Sequence, residues 1–146
     1  MKKMIGLDFG DRTVGVAVSD GLGITAQARE TVWRERPAKL RKTLARIEEI
    51  IEEEDAGLIV LGLPLNMDGT EGERAVKTRA FGEMISRRSG LPVIFEDERL
   101  TTMQAEEYLE ETGVPKDRMK EYVDRVAAQI ILQQYMDREG KQDING

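Results

Sequence analysis

Lys3-Met4-Ile5-Gly6-Leu7-Asp8-Phe9-Gly10 opens the chain, followed by the turn Asp11-Arg12-Thr13 and the second stretch Val14-Gly15-Val16-Ala17-Val18-Ser19. Apolar residues alternate in both stretches, which predicts a β-hairpin with one face in the protein core. The opposite face carries small residues and a single acid, Asp8. An acid is disfavoured inside a strand, and a buried carboxylate without compensation is costly.

Two explanations account for Asp8. A bound cation would compensate for its burial, and the neighbouring glycines would leave room for the ion and for the backbone of a substrate. Alternatively, Asp8 caps a turn or pairs with Arg12. The hairpin alone slightly favours this second, structural explanation, so the rest of the chain has to decide.

The composition narrows the chemistry that this chain can perform. Its 146 residues are 40% apolar and 34% charged, as expected for one globular domain. No apolar run approaches the roughly 20 residues of a membrane span, and a cytoplasmic protein with no membrane association is expected. There is no Cys and no His, which excludes disulfides, thiolate and imidazole catalysis and metal sites built on sulfur or imidazole. Oxygen ligands remain, and they suit Mg²⁺ or Mn²⁺.

The charge distribution leaves the question of nucleic-acid binding open. The net charge of −6 argues mildly against a large nucleic-acid footprint, since such surfaces are usually basic. Basic residues nevertheless concentrate in segments 34–46 and 74–88. Solvated helix faces are the commoner use of such runs, but local basic faces are compatible with them.

Apolar periodicity predicts an α/β domain over residues 1–138 with a frayed polar tail over 139–146. The strands after the hairpin are predicted at 24–32, 58–61 and 93–95. The helices are predicted from Pro37 to Asp55, from a Thr70–Glu73 capping box to Gly90, from a Thr101–Gln104 capping box to Gly113, and over 117–137.

Acidic residues recur at two further places. Glu96-Asp97-Glu98 ends the predicted fifth strand, and Asp124 lies at the edge of the apolar stripe of the last helix. An exposed loop would explain the first group, and an ion pair with Arg99 or a lysine would explain Asp124. Together with Asp8, however, these acids are the oxygen ligands that a one- or two-metal phosphodiester site needs. Sequence spacing does not demonstrate that they converge.

Two loops have the character of ligand-binding segments. Residues 62–69 leave the carboxyl end of the buried strand, where ligands bind in open α/β sheets. Arg99 is followed by Thr101 and Thr102 at a predicted helix start, and free N–H groups with two hydroxyls form a natural phosphate cradle.

Four blocks of this sequence closely resemble the signature blocks of the bacterial YqgF/RuvX family. They are Gly6–Gly10, Val60–Thr70, Asp97–Thr102 and Asp124–Ala128. Members of this family are described as Holliday-junction-resolvase-like proteins or as pre-16S ribosomal RNA nucleases. The resemblance implies a ribonuclease-H-like fold: a five-stranded mixed sheet with the second strand antiparallel to the rest and helices on both faces.

The resemblance also implies the site residues. Asp8, an acid of the Asp97-Glu98 pair and Asp124 would be the metal-binding catalytic residues. Glu98 is the favoured member of the pair, with Asp97 as a second ligand or an orienting group. Junction resolvases of this fold carry an acid at the end of the fourth strand, where this chain has Gly62-Leu63-Pro64. The acids after the fifth strand would have to substitute for it.

The expected function is a nuclease dependent on Mg²⁺ or Mn²⁺ that acts on structured nucleic acid, with ribosomal RNA precursor as the preferred substrate. Arg99, Thr101, Thr102 and the loop of Asn66 would position the phosphate, and Arg12 is a weaker candidate. The alternatives are cleavage of branched DNA, which would need a homodimer rather than a monomer, and an RNA-binding factor without catalysis. Nucleotide binding of the actin-like kind ranks last, because one domain of this length lacks a second lobe.

Overall fold

The computed structural model describes residues 2–145, apart from the side chains of residue 121 and residues 141–145. The strands are β1 Lys3–Phe9, β2 Thr13–Ser19, β3 Ala26–Trp33, β4 Ala56–Leu63 and β5 Val93–Asp97. The helices are α1 Arg41–Glu54, α2 Glu73–Ser89, α3 Thr101–Glu111 and α4 Met119–Asn145, with a 3₁₀ turn at Lys116–Arg118.

The five strands form one mixed sheet in the order β3-β2-β1-β4-β5. Strand β2 is antiparallel to both of its neighbours, whereas β1, β4 and β5 run parallel. The tight hairpin turn imposes the antiparallel pairing, and the helical crossovers through α1 and α2 allow the parallel ones. The predicted five-stranded sheet with an antiparallel second strand is confirmed.

Helices cover both faces of the sheet, as predicted. On one face, alternate residues of the hairpin such as Ile5 and Val16 pack with Ile47 of α1 and Phe81 of α2. On the other face, α4 buries Ile131 and neighbouring residues against β1, β2 and β4. Helix α3 packs against α4 rather than against the sheet. Among the described helices, none combines the length and apolarity that a membrane crossing needs.

The small residues on the face of Asp8 make room for α4. A Cβ atom on Gly15 would lie 1.9 Å from the carbonyl oxygen of Asp124, and one on Gly6 would lie 2.8 Å from that of Ala128. For Gly6 and Gly15, the expectation that the glycines beside Asp8 leave space for an ion and a substrate backbone is therefore wrong. They allow the helix backbone to approach the strands to within contact distance.

Several predicted element ends need correction. Neither predicted capping box forms: the residues before α2 and α3 are Gly72 and Leu100, without a side-chain cap. Helix α1 begins at Arg41 rather than at Pro37, and α4 continues to Asn145, past the predicted end at 137. Gly146 and the side chains of 141–145 lie outside the described residues, so a frayed tail over 139–146 stays a prediction.

Candidate active site

Three acids from distant parts of the chain line one cavity of about 280 Å³ at the end of the sheet where β1 and β4 terminate. They are Asp8 from β1, Glu98 from the residue after β5, and Asp124 from α4. The rest of the lining comprises Gly10, Pro64, Leu65, Arg74, Arg99, Thr102 and Val123. The structure thus brings together the three residues predicted to be catalytic.

Backbone contacts position two of these acids. Asp8 is paired across the hairpin with Gly15, and the absent side chain at Gly15 admits the backbone of α4 at Asp124. Because the helix lies against the strand at that point, the Asp124 carboxylate reaches the same cavity as Asp8. Among the described residues, Asp124 forms no ion pair with Arg99 or with a lysine, so that alternative is wrong.

Glu98 reaches the cavity over the end of β4. Its backbone N–H donates to the carbonyl oxygen of Leu63 at 3.2 Å. A Cβ atom on Gly62 would lie 2.8 Å from Glu98 Oε2. The Glu98 carboxylate therefore occupies the space above the fourth strand that a side chain at position 62 would need.

Burial and mutual repulsion raise the pKa of two acids. Burial raises the pKa of Asp8 to about 6; a hydrogen bond from Glu98 opposes this shift and the Asp124 charge adds to it. Burial, the Asp8 charge and the same hydrogen bond raise the pKa of Glu98 to about 9. Near neutral pH, the Asp8–Glu98 pair thus retains a proton that the two carboxyl groups share. Among the described residues, no ion pair joins Asp8 to Arg12, so that alternative is wrong.

The three consecutive acids at the end of the fifth strand have three different environments. Glu96 is 2% exposed and accepts hydrogen bonds from Arg138 at 2.6 Å and Gln134 at 2.8 Å. Asp97 forms an ion pair with Arg99 at 2.8 Å, and this pairing lowers its pKa against the effect of burial. Glu98 alone faces the acid cavity. Asp97 lies instead in an adjoining depression with Arg99.

Of the predicted phosphate-binding residues, Arg99 and Thr102 line the acid cavity. Arg99 is exposed and also donates to the carbonyl oxygen of Met67 at 3.1 Å. Thr101 is 3% exposed and lines the adjoining depression. Its backbone N–H donates to the carbonyl oxygen of Glu98 at 3.1 Å. Thr101 thus helps to hold the turn that presents Glu98.

The other two predicted phosphate contacts lie outside the described lining of the cavity. Asn66 is exposed and donates to the Thr70 hydroxyl at 2.9 Å, which closes its own loop. Arg12 is exposed on the hairpin turn, where its carbonyl oxygen accepts a hydrogen bond from the backbone of Arg34 at 2.9 Å.

A family model for RuvX, described as Holliday junction resolvase, matches residues 2–138. The chain belongs to the RuvX family. A protein of Agathobacter rectalis is 58% identical over 92% of this RuvX chain and 94% of its own length. One from Lachnospira eligens is 52% identical over 95% and 99%. Both carry the name "Putative pre-16S rRNA nuclease". The predicted family and the predicted enzyme class, a nuclease, are confirmed.

Solved structures confirm the fold of this RuvX chain. RuvC of T. thermophilus in complex with a Holliday junction substrate has a TM-score of 0.57 at 18% identity, covering 96% of this chain and 97% of that one. The Holliday junction resolvase of fowlpox virus has a TM-score of 0.57 at 12% identity, covering 93% and 98%. At such identities the likeness establishes the ribonuclease-H-like fold alone.

The acid cavity of this RuvX chain fits a hard divalent cation in its chemistry. Its acidic groups offer only oxygen ligands, and burial of like charges has raised two of their pKa values, a cost that a cation would relieve. Among the described residues, however, no three acids lie close enough together, as they are oriented here, to hold a metal ion. The hydrogen bond between Glu98 and Asp8 engages carboxyl oxygens that would bind the ion. Ion binding therefore requires the proton of this hydrogen bond to leave.

Arg74 is a site residue that the sequence analysis missed. It lies in the first turn of α2, is exposed, and lines the acid cavity. Its charge lowers the pKa values of both Asp8 and Glu98 against the effect of burial. Its place in the basic segment 74–88, directly after the loop at the end of β4, was the available signal.

Proposed function

We propose that this RuvX protein cleaves ribosomal RNA precursor, with Mg²⁺ or Mn²⁺ held by Asp8, Glu98 and Asp124. The observation that carries this proposal is the shared cavity of the three acids, which come from β1, the end of β5 and α4. The substrate rests on the names of two relatives that are 58% and 52% identical. Such a substrate would place the protein in the cytoplasm, as its composition predicts.

The bound ion would supply activation of water and stabilisation of the leaving oxygen. Asp124 would contribute a carboxylate to this site, and Asp8 and Glu98 would both do so once the proton that they share has left. Asp97 would act by orienting Arg99 through their ion pair or as a second ligand after a side-chain rotation.

Cationic and hydroxyl side chains at the cavity would position the scissile phosphate. Arg74, Arg99 and Thr102 line the cavity, and they can contact the phosphate oxygens without reading the sequence of the substrate. Thr101, Asn66 and Arg12 lie outside its described lining. Their role would be to shape the neighbouring loops or to contact more distant phosphates.

Removal of one carboxylate tests the metal site. Asp8→Asn and Asp124→Asn should each reduce Mn²⁺-dependent cleavage of a precursor RNA by at least about 100-fold, because each removes a charged ligand with little change in shape. The matched control is Asp55→Asn, since Asp55 is an exposed helix cap in the left-handed conformation, which asparagine tolerates. Full cleavage by either site variant would refute the ligand assignment.

DNA four-way junctions are the second candidate substrate, favoured by the description of the family model. Symmetric cleavage of two strands would require a homodimer. The assay compares precursor RNA with a four-way junction under the same conditions, while light scattering measures the mass of the protein in solution. Junction cleavage by a dimer would displace the RNA proposal. Tight RNA binding without any cleavage would indicate a binding factor.

A further inference from the structure

A second surface lies beyond the acid cavity, where β3 ends and α1 begins. This Trp33 groove, of about 640 Å³, is lined by Trp33, Arg34, Glu35 and residues 38–42. Trp33, the single tryptophan of the chain, is 62% exposed. An indole left in solvent at the end of a strand offers a large flat surface for stacking.

The Trp33 groove carries positive charge that the described residues do not neutralise. Lys39, Arg41 and Lys42 are exposed, and none of them forms an ion pair within the described part of the chain. Glu35 is the single acid in the lining. By contrast, the nearby Arg46 is engaged by three glutamates, as the ion pairs with Glu30, Glu49 and Glu53 indicate.

Arg34 connects the groove to the acid cavity. Its guanidinium donates to the carbonyl oxygen of Gly10 at 2.6 Å and to that of Pro37 at 3.1 Å, and it lies 5.0 Å from the ring centroid of Phe9. A cavity of about 300 Å³ between them is lined by both Arg34 and Gly10. Gly10 also lines the acid cavity. The three depressions are therefore consecutive along one end of the sheet.

The distance between the two sites suits a short piece of a nucleic-acid strand. Trp33 pairs with Thr13 of β2, so it lies two strands from β1. Two strand spacings correspond to about 10 Å across the sheet. A substrate strand that enters the acid cavity can therefore reach the Trp33 groove across β2.

We propose that the Trp33 groove binds an unpaired segment of the substrate next to the cleaved bond. One base stacks on Trp33, and Lys39, Arg41 and Lys42 contact successive phosphates. Stacking on an aromatic side chain beside a basic track is how proteins hold single strands without reading sequence. The inference rests on the proposed function for its choice of ligand, but it assigns a separate site outside the acid cavity.

The single tryptophan makes the test specific. A short oligouridylate is titrated into the full chain in EDTA, so that no cleavage occurs, while the fluorescence of Trp33 is recorded. Stacking should quench this fluorescence to saturation. The affinity should fall with salt, by about 0.7 logarithmic units per contacted phosphate for each tenfold rise in salt.

Variants measured by anisotropy of a labelled oligouridylate separate stacking from charge. Trp33→Ala should weaken binding about tenfold, and Trp33→Phe should recover part of the loss. Arg41→Gln should weaken binding and reduce the salt slope by about 0.7. The control Arg87→Gln makes the same charge change in the last turn of α2 and should match the wild type.

Three results would overturn the inference: absence of binding, binding of the oligonucleotide without quenching of Trp33, or equal effects of Arg41→Gln and Arg87→Gln. The titration requires neither metal nor cleavage. If the oligonucleotide quenches Trp33 but the wild-type protein does not cleave precursor RNA, the result counts against the proposed function alone. Cleavage of precursor RNA with an unresponsive Trp33 would count against the groove alone.

Discussion

At the scale of single residues, the partly buried carboxylates of the site lower the stability of the folded protein. Asp8 and Glu98 are both partly buried, their pKa values are raised, and they share one hydrogen bond. A raised carboxyl pKa means that the native state binds a proton more tightly than the unfolded chain. The metal-free protein therefore loses stability as the pH rises from about 4.5 toward 9.

Glu98→Gln should stabilise the metal-free protein at pH 8 by roughly 1–2 kcal/mol while abolishing cleavage. Glutamine keeps a hydrogen-bond donor for Asp8 and does not ionise, so the decline of stability between pH 5 and pH 8 should become shallower. Urea unfolding in EDTA at both pH values measures this effect. A variant that is less stable than the wild type at pH 8 would contradict the assigned cause.

Arg74 counteracts the two raised pKa values at the same site. Arg74→Gln should lower kcat/KM roughly 10- to 100-fold, because a phosphate contact is lost. It should also move the rising limb of the pH–rate profile to higher pH, since the positive charge favours ionised Asp8 and Glu98. The profile distinguishes this role from a structural one. Arg87→Gln on the same helix is the control, and an unshifted profile would contradict the interpretation.

At the scale of elements, the docking of α4 onto the hairpin decides whether the acids meet. The helix backbone at Asp124 lies directly over Gly15, and its backbone at Ala128 lies over Gly6. Further along, Arg138 and Gln134 of α4 bind the buried Glu96 of β5. These contacts hold one helix across three strands, so a small displacement of α4 would move Asp124 away from Asp8.

Gly15→Ala should destabilise the protein by about 1–3 kcal/mol, because the new methyl group would overlap the carbonyl of Asp124. The displaced helix should also reduce cleavage more than the loss of folded protein explains. Thermal unfolding and the activity per folded molecule measure the two effects. Gly21→Ala is the control, since no atom lies within 4 Å of a Cβ atom there. Equal stability of the two variants would refute the close approach.

At the scale of the whole molecule, the candidate site residues lie together at the end of the sheet where the parallel strands β1 and β4 terminate. Strands β1 and β4 end at the acid cavity, and Arg74 and Thr102 reach it from the first turns of α2 and α3. The opposite end carries ion pairs such as Lys3–Glu54 and Lys2–Asp55. Although the net charge is −6, Lys39, Arg41 and Lys42 of the Trp33 groove form no ion pair with the described residues. An acidic protein can thus present a local basic surface at the same end of the sheet as the acid cavity.

Much of the fold and of the acid set was predictable from the sequence. Strict alternation in the hairpin predicted β1 and β2, and an unbroken apolar run predicted the buried strand β4, because these patterns follow directly from strand geometry. Helix ends were less predictable. Thr70 bonds to Asp68 in its own loop instead of capping α2, since local alternatives compete for the same hydroxyl.

The sequence by itself determined the residue types: oxygen ligands without Cys or His, and acids at positions 8, 98 and 124. Only the tertiary structure decided that Glu98 rather than Asp97 faces Asp8, since the turn after β5 depends on a hydrogen bond to Leu63 of another strand. It also decided the roles of Gly15 and Arg74 and the setting of Trp33. Each of these depends on contacts between segments far apart in the chain, and periodicity reports only which face of its own element a residue occupies.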